Sequence, residues 1–267
     1  MKIFICADIE GVSLTNHRDD ILTGESGYAQ ACELMTREVA AACLGAIEAG
    51  ATEITVNDAH GGGRNIDVTK LPKNVSVLRG WSGHPFLMVD GVDSSYDAAL
   101  FVGHHNAAGA EGNPLAHTIN GGTVAKITLN GELASEFMLF SYACALEGVP
   151  TVFLSGDKEL IEASADLHPM LIGVPTKDGS GGMTKCYPVE QVLDDIKSGA
   201  RKALGQDLKR GLTELPSVFE LEVTHRSHLT TCSVQHYPGA ERISVSTVRF
   251  KSDSYYEILR AIKFMLG

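Results

Sequence analysis

No apolar run in the 267-residue chain approaches the roughly 18 residues that a membrane span needs. Asp8 and Glu10 interrupt the first apolar run before it reaches the length of a secretory core, so a cytoplasmic location is expected. The six cysteines are scattered, with no C-x-x-C pair, and read as reduced thiols rather than a disulfide framework. Positive charge is scarce. Lys and Arg number 22 against 33 Asp and Glu, for a net charge of −11. That balance argues against nucleic-acid and anionic-membrane partners, which would repel the chain. There is no internal repeat and no low-complexity segment, and no short motif as specific as H-E-x-x-H.

What is present is alternation. "KIFICA", "EITVND", "AALFVGHH" and "VPTVFLSGD" read as short apolar strands. Between them, "YAQACELMTREVAAACLGAIEAG" and "GELASEFMLFSYACALEG" read as helices, and a further helix runs from near Pro188 to Leu204. Apolar strands separated by helices imply an α/β fold: a mostly parallel sheet with helices on both faces. The tail differs. "SVFELEV" and "RISVSTVRF" alternate apolar and polar residues, and "SDSYYEILRAIKFML" reads as a helix with Ser252 as N-cap. The expected division is an α/β unit over residues 1–211 and a smaller C-terminal α+β unit over 212–267, with residues 79–120 placed beside the second unit in space.

The chemistry collects at strand ends. If the first strand continues, Asp8 and Glu10 face the same side. Two buried like charges need a cation, since an unpaired buried ion costs several kcal/mol. "VNDAH" puts His60 just beyond the second strand, and "FVGHH" puts His104 at the end of the third. In a parallel sheet all these ends lie along one edge, where open α/β folds bind ligands. Carboxylates and imidazoles together suit Zn²⁺ and its first-row neighbours. A stripe of Leu133, Phe137, Phe140 and Cys144 places Glu136 on the buried side of its helix as a further ligand, with Glu132 the weaker candidate. Asp58 is a candidate orienter for His60.

Taken together, "ADIEGV", "VNDAH", "FVGHH", "GNPLAHTI" and "NGELASEF" followed by "GVP" resemble the zinc-dependent D-aminopeptidase family. The resemblance spans nearly the whole chain and includes the helix "ELMTREVAAACLGAIEAG" and the late "PGAERISVSTVRF". It implies a hydrolase that removes residues from short peptides containing D-amino acids. It implies two Zn²⁺ per subunit, with Mn²⁺ or Co²⁺ as alternative metals, sharing a bridging water. Asp8 would bridge the metals, Glu10 and His60 would complete one shell, and His104 and Glu136 the other. The family's catalytic histidine falls on His117, as base, acid or nucleophile. The loop from His104 to His117 is slightly longer than the family's spacing, and His105 is the competing position for that role. The resemblance further implies a homo-oligomer, a decamer of two stacked pentameric rings, with the C-terminal unit as the place for subunit contacts.

Two rival readings come from the same residues. "FICADIEGV" also resembles the first motif of haloacid-dehalogenase-like phosphohydrolases, with Asp8 as nucleophile and Asp157 of "VFLSGDKE" as a Mg²⁺ ligand. That chemistry has no use for His60, His104 or Glu136, and Asp157 also reads as a helix N-cap. A non-enzymatic assembly protein closed by metal is the other rival. A closed structural zinc site takes four protein ligands, whereas five ligands shared by two metals leave positions open.

Overall fold

A computed structural model describes residues 1–168 and 170–266. Among the described residues the strands form two sheets. The larger runs β3 (Val75–Leu78), β2 (Glu53–Asp58), β1 (Lys2–Ala7), β4 (Ala98–His104), β7 (Thr151–Asp157), β8 (Ile172–Ser180), β9 (Met183–Cys186). Its pairs are parallel except β8 with β9, which form an antiparallel edge hairpin. The mostly parallel α/β architecture expected from the alternating elements is therefore present.

Period-two alternation decides what each face of the sheet buries. Ile3, Ile5, Leu100 and Val102 lie under α2 (Tyr28–Glu48) and α5 (Val189–Leu204), which pack on each other. Phe4, Cys6, Ala99 and Phe101 face the other way, toward α3 (Glu136–Leu146), α7 (Tyr255–Leu266) and the second sheet. Both faces are covered, which is why these strands read as continuous apolar runs.

The second sheet is antiparallel, in the order β11 (Ala240–Arg242), β12 (Thr247–Ser252), β10 (Phe219–His225), β5 (Val124–Leu129), β6 (Glu132–Leu133). It recruits β5 and β6 from well before residue 212. Within 79–120, Phe86, Met88, Val89 and Val92 join the apolar cluster of the second sheet, while β4 sits in the centre of the first. The last helix begins at Tyr255; Ser252 ends β12 and its hydroxyl accepts from the Ser254 N–H (3.0 Å) rather than capping the helix directly. Among the described residues no helix is long and apolar enough to cross a membrane.

His168, beyond α4 (Lys158–Ser164), is buried between the Thr213 hydroxyl (2.8 Å from Nδ1) and the Ser141 hydroxyl (3.1 Å from Nε2). Burial lowers its pKa to about 4. At this residue the unfolded chain therefore binds more protons than the folded one between about pH 6.5 and this value. The contribution of His168 to stability is full above pH 6.5 and falls as the pH drops through that window, by up to about 3 kcal/mol. Urea denaturation from pH 7 to pH 4 should show the slope, and His168→Asn should flatten it; an unchanged slope in the variant would assign the acid sensitivity elsewhere.

Candidate metal centre

β1 stops at Ala7. The Asp8 N–H still donates to the Val102 carbonyl (2.9 Å), and the chain then turns instead of extending through Glu10. The carboxylates converge all the same: His60 Nδ1 lies 3.4 Å from Asp8 Oδ1 and 2.9 Å from Glu10 Oε2. Glycine makes this crossing possible. A Cβ on Gly11 would stand 1.8 Å from the His104 carbonyl oxygen, and one on Gly103 2.4 Å from that of Asp8. The site sits where β1 has β2 on one side and β4 on the other, the point at which strand order reverses.

Gly103 also decides which histidine enters the site. Its φ of +75° and the slip in register between Phe101 and His104 against β7 kink the strand end. The structure does not place His104 with the carboxylates. Its ring packs edge-on against Phe101 (centroids 5.0 Å) and forms no ion pair among the described residues. Apart from a poorly aligned approach to the Cys6 carbonyl, neither ring nitrogen meets a partner, and burial lowers its pKa to about 4. His105 takes the position instead. Its Nε2 lies 3.4 Å from Asp8 Oδ2 and 3.3 Å from Glu136 Oε2, while Nδ1 donates to the Asn106 carbonyl (2.9 Å).

Glu136 is the first residue of α3, which Ser135 caps by accepting from the Met138 N–H. The helix starts later than the expected stripe: Leu133 and Glu132 belong to β6 and are exposed, so Glu132 is not at the site. Glu136 is buried, and its Oε1 accepts from the Ile119 N–H (2.6 Å). Ile119 has a φ of +64°. That is a costly conformation for a β-branched residue, held where its N–H fixes a buried carboxylate.

His117 stacks on His105 with ring centroids 4.3 Å apart and planes at 13°. Its Nδ1 donates to the Leu115 carbonyl (2.9 Å), so Nε2 carries the lone pair, 3.8 Å from Glu136 Oε1. His60 is fixed in the opposite sense: Nε2 donates to the Ile21 carbonyl (2.9 Å) and leaves Nδ1 facing the carboxylates. Asp58 does not orient the His60 ring. It accepts from the N–H groups of Asn65 and Ile66 and from the Asn65 amide, and that amide also holds the His60 carbonyl. Sequence reasoning gave no role to Lys177. It is fully buried, and its ammonium donates to the Glu10 carbonyl (2.7 Å) and to the Thr15 carbonyl and hydroxyl, tying down the loop that carries both acids.

The charges show what the site requires. Burial pushes Asp8 up, Glu10 adds to it, and the carboxyl reaches about 8. Burial opposes charge on Glu10 and Glu136 too, but His60 holds Glu10 well below the usual carboxylate range and His105 brings Glu136 to about 2. Burial likewise disfavours the imidazoliums, yet the carboxylates raise His60 to about 12 and His105 to about 10. Without a metal, protons must supply the missing positive charge. Asp8 Oδ2, Glu10 Oε2 and His105 Nε2 are buried without an aligned hydrogen-bond partner. Three ligand groups, Asp8–Glu10–His60, Asp8–His105–Glu136 and Glu10–His105–His117, each bring their atoms within 4.8 Å of one another. Oxygen and imidazole donors in this density fit zinc. They open into a cavity of about 790 Å³ bounded by Trp81, His84, Leu87, Pro114, His117 and Arg226.

A family profile described as D-aminopeptidase matches residues 1–264. The chain belongs to the D-aminopeptidase family. A D-aminopeptidase of Bacillus subtilis (strain 168) is 29% identical over 270 residues, covering 99% of this chain and 96% of the relative. The solved structure of the Zn-dependent D-aminopeptidase DppA from Bacillus subtilis, described as a self-compartmentalizing protease, superposes with a TM-score of 0.91 at 26% identity, over 99% of this chain and 96% of that one. As a member of this family the chain is an aminopeptidase, and the phosphohydrolase reading is not favoured. Asp157 supports that outcome: it caps α4 by accepting from the Leu160 N–H (2.8 Å) and also accepts from the Asn106 N–H (2.8 Å).

Proposed function

We propose that this D-aminopeptidase family member is a zinc-dependent hydrolase of short peptides with D-residues, holding two Zn²⁺ between Asp8, Glu10, His60, His105 and Glu136. The carrying observation is three buried carboxylates meeting two imidazoles, with Asp8 Oδ2, Glu10 Oε2 and His105 Nε2 left without an aligned partner. Asp8 touches both His60 and His105 and would be shared between the two sets of ligands. Zinc held there would supply a Lewis acid for the scissile carbonyl and would lower the pKa of water at the site toward about 7. Every other requirement falls to the chain. His60 and His105 are locked in the tautomers that leave one nitrogen facing inward. His117, with Nε2 free and the ring held on His105, takes a proton from the attacking water and returns it to the leaving amine. Trp81, donating to the Gly61 carbonyl (2.7 Å), lines the cavity next to the loop that follows His60.

The relative's self-compartmentalizing description and the apolar residues exposed on the second unit, Val218, Leu229, Val245 and Phe264 among them, support assembly through that unit into closed stacked rings, a decamer by family resemblance. Zinc analysis of the purified protein should return close to two ions per chain. Chelation should abolish hydrolysis of D-aminoacyl dipeptides, and added zinc should restore it. One ion per chain would contradict the bridged arrangement, and preference for L- over D-dipeptides in the same assay would overturn the substrate assignment.

A further inference from the structure

The wall of the cavity around His117 carries two cations that the hydrolytic chemistry does not use. Arg226 follows β10, and Lys263 lies in the last turn of α7; both line the cavity. Both are anchored to the segment that holds His117. The Arg226 N–H donates to the Thr123 carbonyl (2.8 Å) and its Nε to the Gly121 carbonyl (2.8 Å). The end of α7 meets the same segment, where the Asn120 amide reaches the Leu266 carbonyl (3.5 Å). Gly121 lies directly against the His117 ring: a Cβ there would stand 3.2 Å from the His117 Cβ.

Among the described residues neither cation forms an ion pair, although acids outnumber bases in the chain by 33 to 22. Lys263 also complements the carbonyl end of its helix, but that leaves Arg226 unexplained. Among the described residues the carboxylates lining the cavity are Asp8, Glu10, Asp90 and Glu136; none is paired with Arg226 or Lys263, and Glu136 is committed to the Ile119 N–H and His105. The other rim cation, Arg18, stands on the His60 side and has Asp19 and Asp20 as chain neighbours.

We infer that Arg226 and Lys263 bind the C-terminal carboxylate of the peptide substrate, and so select short peptides with a free C-terminus. This rests on the aminopeptidase reading above. His117 serves the leaving amine, so the leaving residue lies on its side of the cavity. In a dipeptide the carboxylate lies one residue beyond the scissile bond, about 3.8 Å in Cα spacing. Each added residue carries it roughly 3.3–3.6 Å further out. A guanidinium fixed through Nε keeps its two outer amino groups available, the fork that suits a carboxylate. Lys263 adds a second charge without fixing geometry.

The test compares kcat/KM of the zinc-loaded enzyme for a D-alanyl dipeptide and for its C-terminal amide. Hydrolysis of the amide alone reports on the aminopeptidase reading; the acid-to-amide ratio reports on the two cations. The wild-type ratio should be about 10 or more, given the strength of hydrogen bonds between charged groups. Arg226→Gln should lower it several-fold, Arg226→Gln with Lys263→Gln should bring it near 1, and Arg226→Lys should restore part of it. Calorimetric binding of acid and amide to the zinc-free protein should follow the same order. A wild-type ratio near 1, a ratio that survives the double substitution, or a parallel fall for acid and amide would overturn the assignment.

Discussion

Zinc analysis of His105→Ala should return protein depleted of metal, while His104→Phe should keep the wild-type content. This is the largest expected difference between two neighbouring residues in the chain. His105 has its Nε2 3.4 Å from Asp8 and 3.3 Å from Glu136, so its loss takes the nearest imidazole from Glu136 and leaves Asp8 with His60 alone. Residues that merely orient a ligand cost about 10–100-fold in metal affinity when changed. Removal of the ligand should cost at least about 100-fold, and hydrolysis should fall with it. His104 is different in kind. Its ring is fully buried beside Phe101 and kept neutral by burial. A phenyl ring there is larger and overpacks the site at a cost of about 1–3 kcal/mol, but it removes no donor from the carboxylate cluster. Metal retained in His105→Ala and lost in His104→Phe would reverse the assignment, and the kink at Gly103 would then need another explanation.

His117→Ala should give the opposite signature: metal close to the wild-type amount, with kcat reduced about 10²–10⁴-fold, the range for a positioned proton-transfer group. The geometry separates His117 from the ligands. His60 and His105 approach the carboxylates at 2.9–3.4 Å, whereas His117 stands 3.8 Å from Glu136 and is partly open to the cavity. Its ring stacks on the face of His105. The loop also protects the assignment from a trivial failure, because the Ile119 N–H and not His117 secures Glu136. Inductively coupled plasma analysis and dipeptide turnover on one preparation decide the matter. Coincident loss of zinc and activity would make His117 a ligand through its grouping with Glu10 and His105.

The apolar runs and their spacing were enough to determine the α/β class, because strands buried on both faces have no polar side to show. They also determined that Asp8, Glu10 and His60 meet, since the ends of parallel strands share one edge whatever the loops do. Glu136 was legible as an acid in an apolar helix, though the helix begins at Glu136 and the Leu133 stripe was only approximate. The choice between His104 and His105 was not legible from side-chain alternation. Alternation holds only while a strand stays regular, and a glycine at φ +75° breaks it. The glycine before the pair was the one local signal, because an isolated Gly in a strand pattern marks a bulge or a close backbone approach. Tertiary structure alone decided the rest. Lys177 reaches the Glu10 loop from 167 residues away, and Arg226 and Lys263 come to the His117 wall from the second unit. Local sequence fixes the direction of a chain for a few residues, whereas contacts at such separations exist only once both cores have closed and brought the two sheets together.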